Sequence, residues 1–463
     1  MDLLLTHAYF IAEDAHEKQI MKPYPPLGIL YLAAYLKARG FSIEVFDTTF
    51  ATPAEFFAHL ERTRPSLVGI YVNLMTKFNA LAMIAACKRV GARVILGGPE
   101  PAPYAAEYLA RGADVVVVGE GEAALAELLP ALAQFGASWL ADVAGIFYRD
   151  ENGGIVQTAP RAQLKNLDAL PFPDRAAINL PQYIETWRAH HRVGSASLIC
   201  ARGCPYHCAW CSHAVYGETH RRRSPQNVAD EAEFLITNYQ PDQFWYADDV
   251  FTIHHGWLFE YAAELKRRGI RLPFECITRA DRVNDAVIDS LAAMGCARVW
   301  IGSESGSQKI LDAMRREVRV EQVQWATRAL KARGIEVGMF IMLGYEGEAW
   351  GDIRATVEHV KKCAPDILLS TVAYPIKSTA YYQLVEQRIL TRGDWSEWTD
   401  RQLDVRGRHS REFYEHAQRW MFGEFNLQRE MKNEKRDFAR IGKAAANVAR
   451  GKIGMQMNSA HVL

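Results

Sequence analysis

The sequence has no apolar run that approaches the ~18 residues needed to cross a bilayer, so no transmembrane segment is predicted. It also has no excess of one charge: 54 Lys and Arg stand against 54 Asp and Glu in 463 residues. That balance leaves no overall pull toward nucleic acid or a lipid surface. The opening residues, Met1-Asp2-Leu3-Leu4-Leu5-Thr6-His7, lack a basic stretch followed by a long apolar one. No signal peptide is read there, and a cytoplasmic location is expected. Low-complexity tracts are missing, as is any repeat beyond a βα unit. Cysteine is sparse, with eight in all, at 87, 200, 204, 208, 211, 276, 296 and 363. A secreted disulfide framework would spread its cysteines more evenly through a smaller chain.

What is present is an ordinary core composition, 49% apolar and 23% charged, at a length that suits two or three domains. Residues 1–135 alternate short apolar runs (3–5, 42–46, 67–72, 92–96, 115–118) with helical patterns (27–39, 53–64, 78–90, 104–111). This predicts a doubly wound parallel sheet. Residues 136–190 read as a connector: Asp150-Glu151-Asn152-Gly153-Gly154 signals a hairpin, and the prolines of Leu170-Pro171-Phe172-Pro173-Asp174 disfavour regular structure. Residues 191–385 resume the alternation, with six strands predicted at 196–199, 243–246, 274–277, 298–301, 336–343 and 367–373. A full or partial (β/α)6 barrel follows, with its chemistry at the C-terminal strand ends. Residues 386–463 read as a helical segment; from 401 onward it carries 13 Lys and Arg against 7 Asp and Glu.

Four of the eight cysteines fall within Cys200-Ala201-Arg202-Gly203-Cys204-Pro205-Tyr206-His207-Cys208-Ala209-Trp210-Cys211. Cys204, Cys208 and Cys211 sit at x3 and x2 spacing just after an apolar strand. Thiolates bind iron strongly, and such spacing lets one loop wrap a cubane cluster with one iron left open. The competing reading is a structural zinc, with Cys200 or His207 as fourth ligand. Zinc ribbons usually bring a second paired cysteine motif, and the sequence has none.

CxxxCxxC with an aromatic residue before the last cysteine resembles the radical S-adenosylmethionine (SAM) superfamily signature. The resemblance implies that Cys204, Cys208 and Cys211 hold a 4Fe–4S cluster whose fourth iron takes SAM. One electron then cleaves SAM to methionine and a 5′-deoxyadenosyl radical. A flavodoxin or ferredoxin is the implied electron donor. Later strand ends resemble the family's SAM contacts. Asp248 or Asp249 would accept from the methionine ammonium, which needs carboxylate or carbonyl acceptors. Arg279 would face the carboxylate, Glu304 and Ser305 lie in the ribose and carboxylate region, and Leu343 and Tyr374 lie where adenine is enclosed. Each has a plainer reading as a helix cap or a turn.

The first domain, with Tyr24-Pro25-Pro26-Leu27-Gly28, Gly97-Gly98-Pro99-Glu100 and Gly119-Glu120-Gly121-Glu122, resembles the cobalamin-binding subgroup. Ligands of open parallel sheets sit at the C-terminal strand ends. That places Asn73, Met75, Thr76, Gly97, Gly98, Gly119 and Glu120 as cobalamin contacts, with glycines giving room for the corrin or its nucleotide tail. The Asp-x-His-x-x-Gly cobalt-ligand motif is absent, since Asp47-Thr48-Thr49-Phe50 has no His. A flavodoxin-like domain without corrin is the alternative.

Three functions are carried forward, with no catalytic residue assigned. The first is a cobalamin-dependent radical methylase acting on an unactivated carbon of a small-molecule or lipid-like substrate. The second is a radical cyclase resembling the anaerobic magnesium-protoporphyrin monomethyl ester cyclase. The third is a non-enzymatic cobalamin or redox sensor. Trp395, Trp398, Trp420, Phe422 and Phe425 could cap an apolar substrate, lie on a membrane surface, or pack an aromatic face on the barrel.

Overall fold

A computed structural model describes residues 1–134, 137–390, 393–433 and 435–459. The chain divides into two compact units. One comprises Met1–Pro205, Ser212–Phe244 and Gly393–Thr399; the other comprises Tyr206–Cys211, Trp245–Arg392 and Asp400–Leu463.

In the first unit the leucine- and valine-rich runs form β1 (Leu3–His7), β2 (Ile43–Phe46), β3 (Leu67–Tyr71), β4 (Arg93–Gly97) and β5 (Val115–Val117). They pair in parallel in the order β2-β1-β3-β4-β5. Alternation along each strand feeds two separate cores. Leu4, Val94, Leu96 and Val116 enter one, while Leu3, Leu5, Ile95, Val115 and Val117 enter the other. Both faces are therefore buried, as a doubly wound sheet requires. Helix Pro53–Thr63 shows how local sequence sets a boundary. Pro53 opens it, and Thr52 and Glu55 satisfy each other's backbone N–H groups in a capping box.

The hairpin expected in the connector forms as β6 (Ile146–Arg149) and β7 (Ile155–Gln157), and it extends the same sheet antiparallel beyond β5. The boundary expected at residue 135 lies outside the described residues. Residues 171–174 form neither helix nor strand, as their prolines dictate. The connector then ends in a helix, Leu180–His191, capped by Asn179 and with a proline in its first turn.

The strands of the second unit keep strict chain order. Within the second unit, Phe274–Thr278, Cys296–Glu304, Glu336–Leu343 and Ile367–Val372 pair in parallel. Helices Asp285–Met294, Val320–Ala332 and Trp350–Cys363 lie between them in the chain. The result is the expected (β/α) arrangement with all C-terminal strand ends on one side.

Past residue 385 a two-residue ladder, Ile389–Leu390 against Asp404–Val405, is too short to leave a pattern in sequence. Helices Arg411–Lys432 and Phe438–Asn458 then pack on each other. Glycines make the close crossing possible: a Cβ on Gly451 would lie 2.5 Å from the Trp420 nitrogen. Trp420 and Phe413 pack on Trp350, which is the barrel-packing role for this aromatic face. Trp395 instead joins a core of the first unit with Tyr104 and Tyr108. Among the described residues no helix is long and apolar enough to cross a membrane.

Candidate functional site

In the second unit the cysteine loop is pinned from two sides by backbone hydrogen bonds. The Ala209 N–H donates to the Met314 carbonyl at 3.0 Å, and the Tyr381 N–H donates to the Ala209 carbonyl at 2.7 Å. Trp210 packs on an apolar cluster that includes Ala209, Ile310, Met314, Tyr345 and Tyr381. The aromatic residue of the motif therefore anchors the loop. Cys208 is buried, and two guanidiniums converge on its sulfur. Arg316 Nη1 lies at 3.5 Å and Arg279 Nη1 at 3.7 Å. A hydrogen bond from Cys211 and these two cations hold the Cys208 thiol down, at about 5 against an ordinary 9, despite burial. A thiolate at neutral pH is the donor that iron requires. Among the described residues no three His, Cys, Asp or Glu side chains are gathered tightly enough for a single metal ion.

Glu304 ends its strand at an irregularity in the pairing with Glu336–Leu343. Its φ of +62° is a left-handed conformation for a non-glycine residue, and such strain concentrates at functional strand ends. Burial pushes its carboxyl up to about 7; Arg316 pulls the other way, and the Cys208 charge adds a smaller upward push. Its neighbours serve the fold: Ser303 bonds His359, and Ser305 bonds Thr356. Arg279 is fully engaged, with Nε on Asp281 at 2.9 Å, Nη2 on the Arg316 carbonyl at 2.7 Å, and its plane 3.6 Å from the Tyr206 ring. Asp248 is buried and Asp249 exposed, just past the end of strand Gln243–Tyr246.

The first unit carries a cleft at the C-terminal ends of β1, β3, β4 and β5. It holds about 690 Å³ free of protein atoms and is lined by Gly28, Gly69, Gly97, Gly98, Gly119 and Glu120 among others. A Cβ on Gly97 would meet nothing within 4 Å, so the space beside it is open. At the cleft wall Arg202 bridges Glu120 at 2.7 Å and Glu122 at 2.6 Å, and Arg221 adds a second contact to Glu120 at 2.7 Å. Tyr31 and Tyr216 flank the Arg202 guanidinium. Arg202 and the two carboxylates are mutually paired in this network, while Arg221 leaves Nε and Nη2 buried without a partner.

A radical SAM superfamily model matches residues 198–360, and a B12-binding domain model matches residues 19–129. The chain is a radical SAM enzyme with a B12-binding domain. The radical SAM enzyme is 26% identical over 400 residues to an uncharacterized methyltransferase of Pyrococcus horikoshii, with 84% of each chain covered. It is 27% identical to the anaerobic magnesium-protoporphyrin IX monomethyl ester cyclase of Rubrivivax gelatinosus, over 79% of this chain and 67% of that one. Its fold matches the methyltransferase TsrM of Kitasatospora setae with a TM-score of 0.68 at 20% identity, over 83% and 74% of the two chains. It matches the cobalamin-dependent enzyme OxsB with a TM-score of 0.74 at 17% identity, over 98% and 72%.

Within the B12-binding domain the cleft gathers Gly97, Gly98, Gly119 and Glu120, but not Asn73, Met75 or Thr76. Asn73 and Thr76 bond each other's loop at the start of helix Lys77–Arg89, and Met75 is exposed. Sequence reasoning missed Arg202, Tyr216 and Gly69. A glycine inside a strand pattern is a signal of close approach and could have flagged Gly69; Arg202 and Tyr216 come from far along the chain. The radical SAM domain brings Cys208, Cys211, Glu304 and Arg316 into mutual electrostatic range. Arg316 carried no motif signal. Leu343 is fully buried, while Tyr374 lines a separate cavity.

Proposed function

We propose that the radical SAM enzyme is a cobalamin-dependent methylase of an unactivated carbon in a small-molecule substrate. The carrying observation is Cys208, a buried cysteine whose sulfur has a guanidinium at 3.5 Å and another at 3.7 Å, in the same CxxxCxxC segment as Cys204 and Cys211. A 4Fe–4S cluster bound there supplies one-electron cleavage of SAM. Arg316 and Arg279 offset negative charge at the cluster sulfur. Glu304 and the buried Asp248 are the acceptors for SAM's hydroxyl and ammonium groups. For the B12-binding domain, the glycine-lined cleft at the strand ends is the seat for cobalamin, where the missing side chains leave room for the corrin or its nucleotide tail. The TsrM structure holds cobalamin and a [4Fe–4S] cluster, and the OxsB structure holds aqua-cobalamin and SAM, which supports the same set here.

The cyclase reading retains weight from the Rubrivivax relative. The deciding experiment is incubation of cluster- and cobalamin-loaded protein with methyl-labelled SAM, a reductant and a metabolite extract. Label in a product, with 5′-deoxyadenosine released, supports methylation. Turnover of a metabolite with 5′-deoxyadenosine but no label transfers the reading to the cyclase.

A further inference from the structure

Beyond the C-terminal end of strand Ile367–Val372 lies a cavity with about 950 Å³ free of protein atoms. Thr371, Tyr374, Arg401, Arg408, Arg411 and Tyr414 are part of its lining. Two of its cations are already engaged: Arg411 pairs with Asp404 at 2.8 Å, and Arg401 has partners of its own. Arg408 differs. Its Nη1 donates to the Tyr381 hydroxyl at 3.2 Å, and its Nε is buried with no partner. Among the described residues no carboxylate lies within ion-pair distance of it. Glu348 senses its charge, and burial pushes that carboxyl up to about 8 although Arg408 pulls the other way. The guanidinium lies over Gly344, where a Cβ would meet Nη2 at 2.6 Å. His409 Nδ1 is a second buried polar atom without a partner on the same wall.

Arg408 is half-buried, and a buried guanidinium nitrogen without a partner, such as its Nε, is costly unless something pairs with it. A planar guanidinium with an open edge fits a carboxylate or phosphate by two parallel hydrogen bonds. The place is also apt, because Tyr381 joins Arg408 through its hydroxyl to the cysteine loop through its backbone N–H. We propose that this cavity binds an anionic group of the substrate, a carboxylate or a phosphate, with Arg408 as its anchor. The proposal rests on the reading that the radical SAM domain acts on a small molecule, and it narrows that molecule to an anionic one.

The test is calorimetric titration of inorganic phosphate and, separately, succinate into the full cluster-loaded chain with SAM present. One of the two is expected to bind saturably, which also separates phosphate from carboxylate. Arg408→Gln should weaken that binding at least tenfold, and Arg408→Lys, which keeps the charge but not the fork, should weaken it less. Iron content and SAM affinity should match the parent in both variants. Should Gln prevent folding, the Lys variant still reads the fork. The proposal is overturned if neither anion binds, if both variants bind as the parent does, or if SAM and the anion displace each other. Methyl label in a product alongside failure of these titrations would leave the functional reading standing and remove only this one. Anion binding without label transfer would do the reverse.

Discussion

Arg316 Nη1 lies 3.5 Å from Cys208 Sγ, and its Nη2 donates to the Gly302 carbonyl at 2.9 Å. The guanidinium is thus fixed in place as a donor to a thiolate. Hydrogen bonds to cluster sulfurs set reduction potential. Arg316→Gln should lower the cluster potential, by about 60 mV if about 1.4 kcal/mol of the bond is gained only on reduction. Iron content should stay near four per chain. A potentiometric titration followed by electron paramagnetic resonance reads this directly, and an unchanged potential would show that the contact is structural only.

Asp248 is buried and Asp249 is not. A charge-assisted hydrogen bond to an ammonium is worth roughly 1.5–3 kcal/mol. Asp248→Asn and Glu304→Gln should therefore weaken SAM binding about tenfold to a hundredfold, while Asp249→Asn should not. Calorimetry with iron quantified on each sample checks both halves.

Gly97 and Gly98 are neighbours with opposite demands. Gly98 has φ +104°, and a Cβ there would stand 2.3 Å from the Val72 carbonyl; Gly97 faces open space. Gly98→Ala should lower the melting temperature. Gly97→Val should leave it unchanged yet reduce cobalamin retention, because the side chain enters the cleft. If Gly97→Val binds cobalamin as tightly as the parent, the cleft does not hold cobalamin.

His7 has Nε2 at 2.8 Å from Asp47 and Nδ1 at 3.1 Å from the Thr48 hydroxyl, and Tyr183 donates to the other Asp47 oxygen at 2.7 Å. Burial raises the Asp47 carboxyl, but the hydrogen bonds from His7 and Tyr183 outweigh it and hold it low. Both ring nitrogens are committed to the fold. His7→Gln should lower stability while leaving the spectrum of bound cob(II)alamin without a change in nitrogen splitting. A histidine splitting present in the parent and lost in the variant would reveal a cobalt ligand.

Burial raises the Glu348 carboxyl to about 8 from an ordinary 4.5, even though the Gly344 N–H opposes the shift. The folded state favours the proton, so this group's stabilising contribution is complete below pH 4.5 and fades as pH rises through 8. Glu348→Gln mimics the protonated form. Its melting temperature should therefore gain on the parent's between pH 5 and pH 9, at roughly 2–4 °C per kcal/mol for a unit of this size. A gap that does not change with pH would mean that Glu348 is ionised in the fold.

The sequence by itself determined the strand–helix alternation of both units, because apolar runs of buried parallel strands are written continuously in the chain. It also determined the cysteine loop, because x3 and x2 spacing is local chemistry. Tertiary structure alone decided the rest. Arg316 reaches Cys208 across 108 residues, and Arg202 reaches Glu120 across 82. No periodicity records such pairings. The same holds for Arg279: its position after a strand was visible, but its engagement with Tyr206 and with Cys208, 71 residues away in the chain, depends on the cysteine loop folding onto that strand end. Long-range charge pairing is settled by which strand ends the fold brings together, and the chain order of residues does not contain that information.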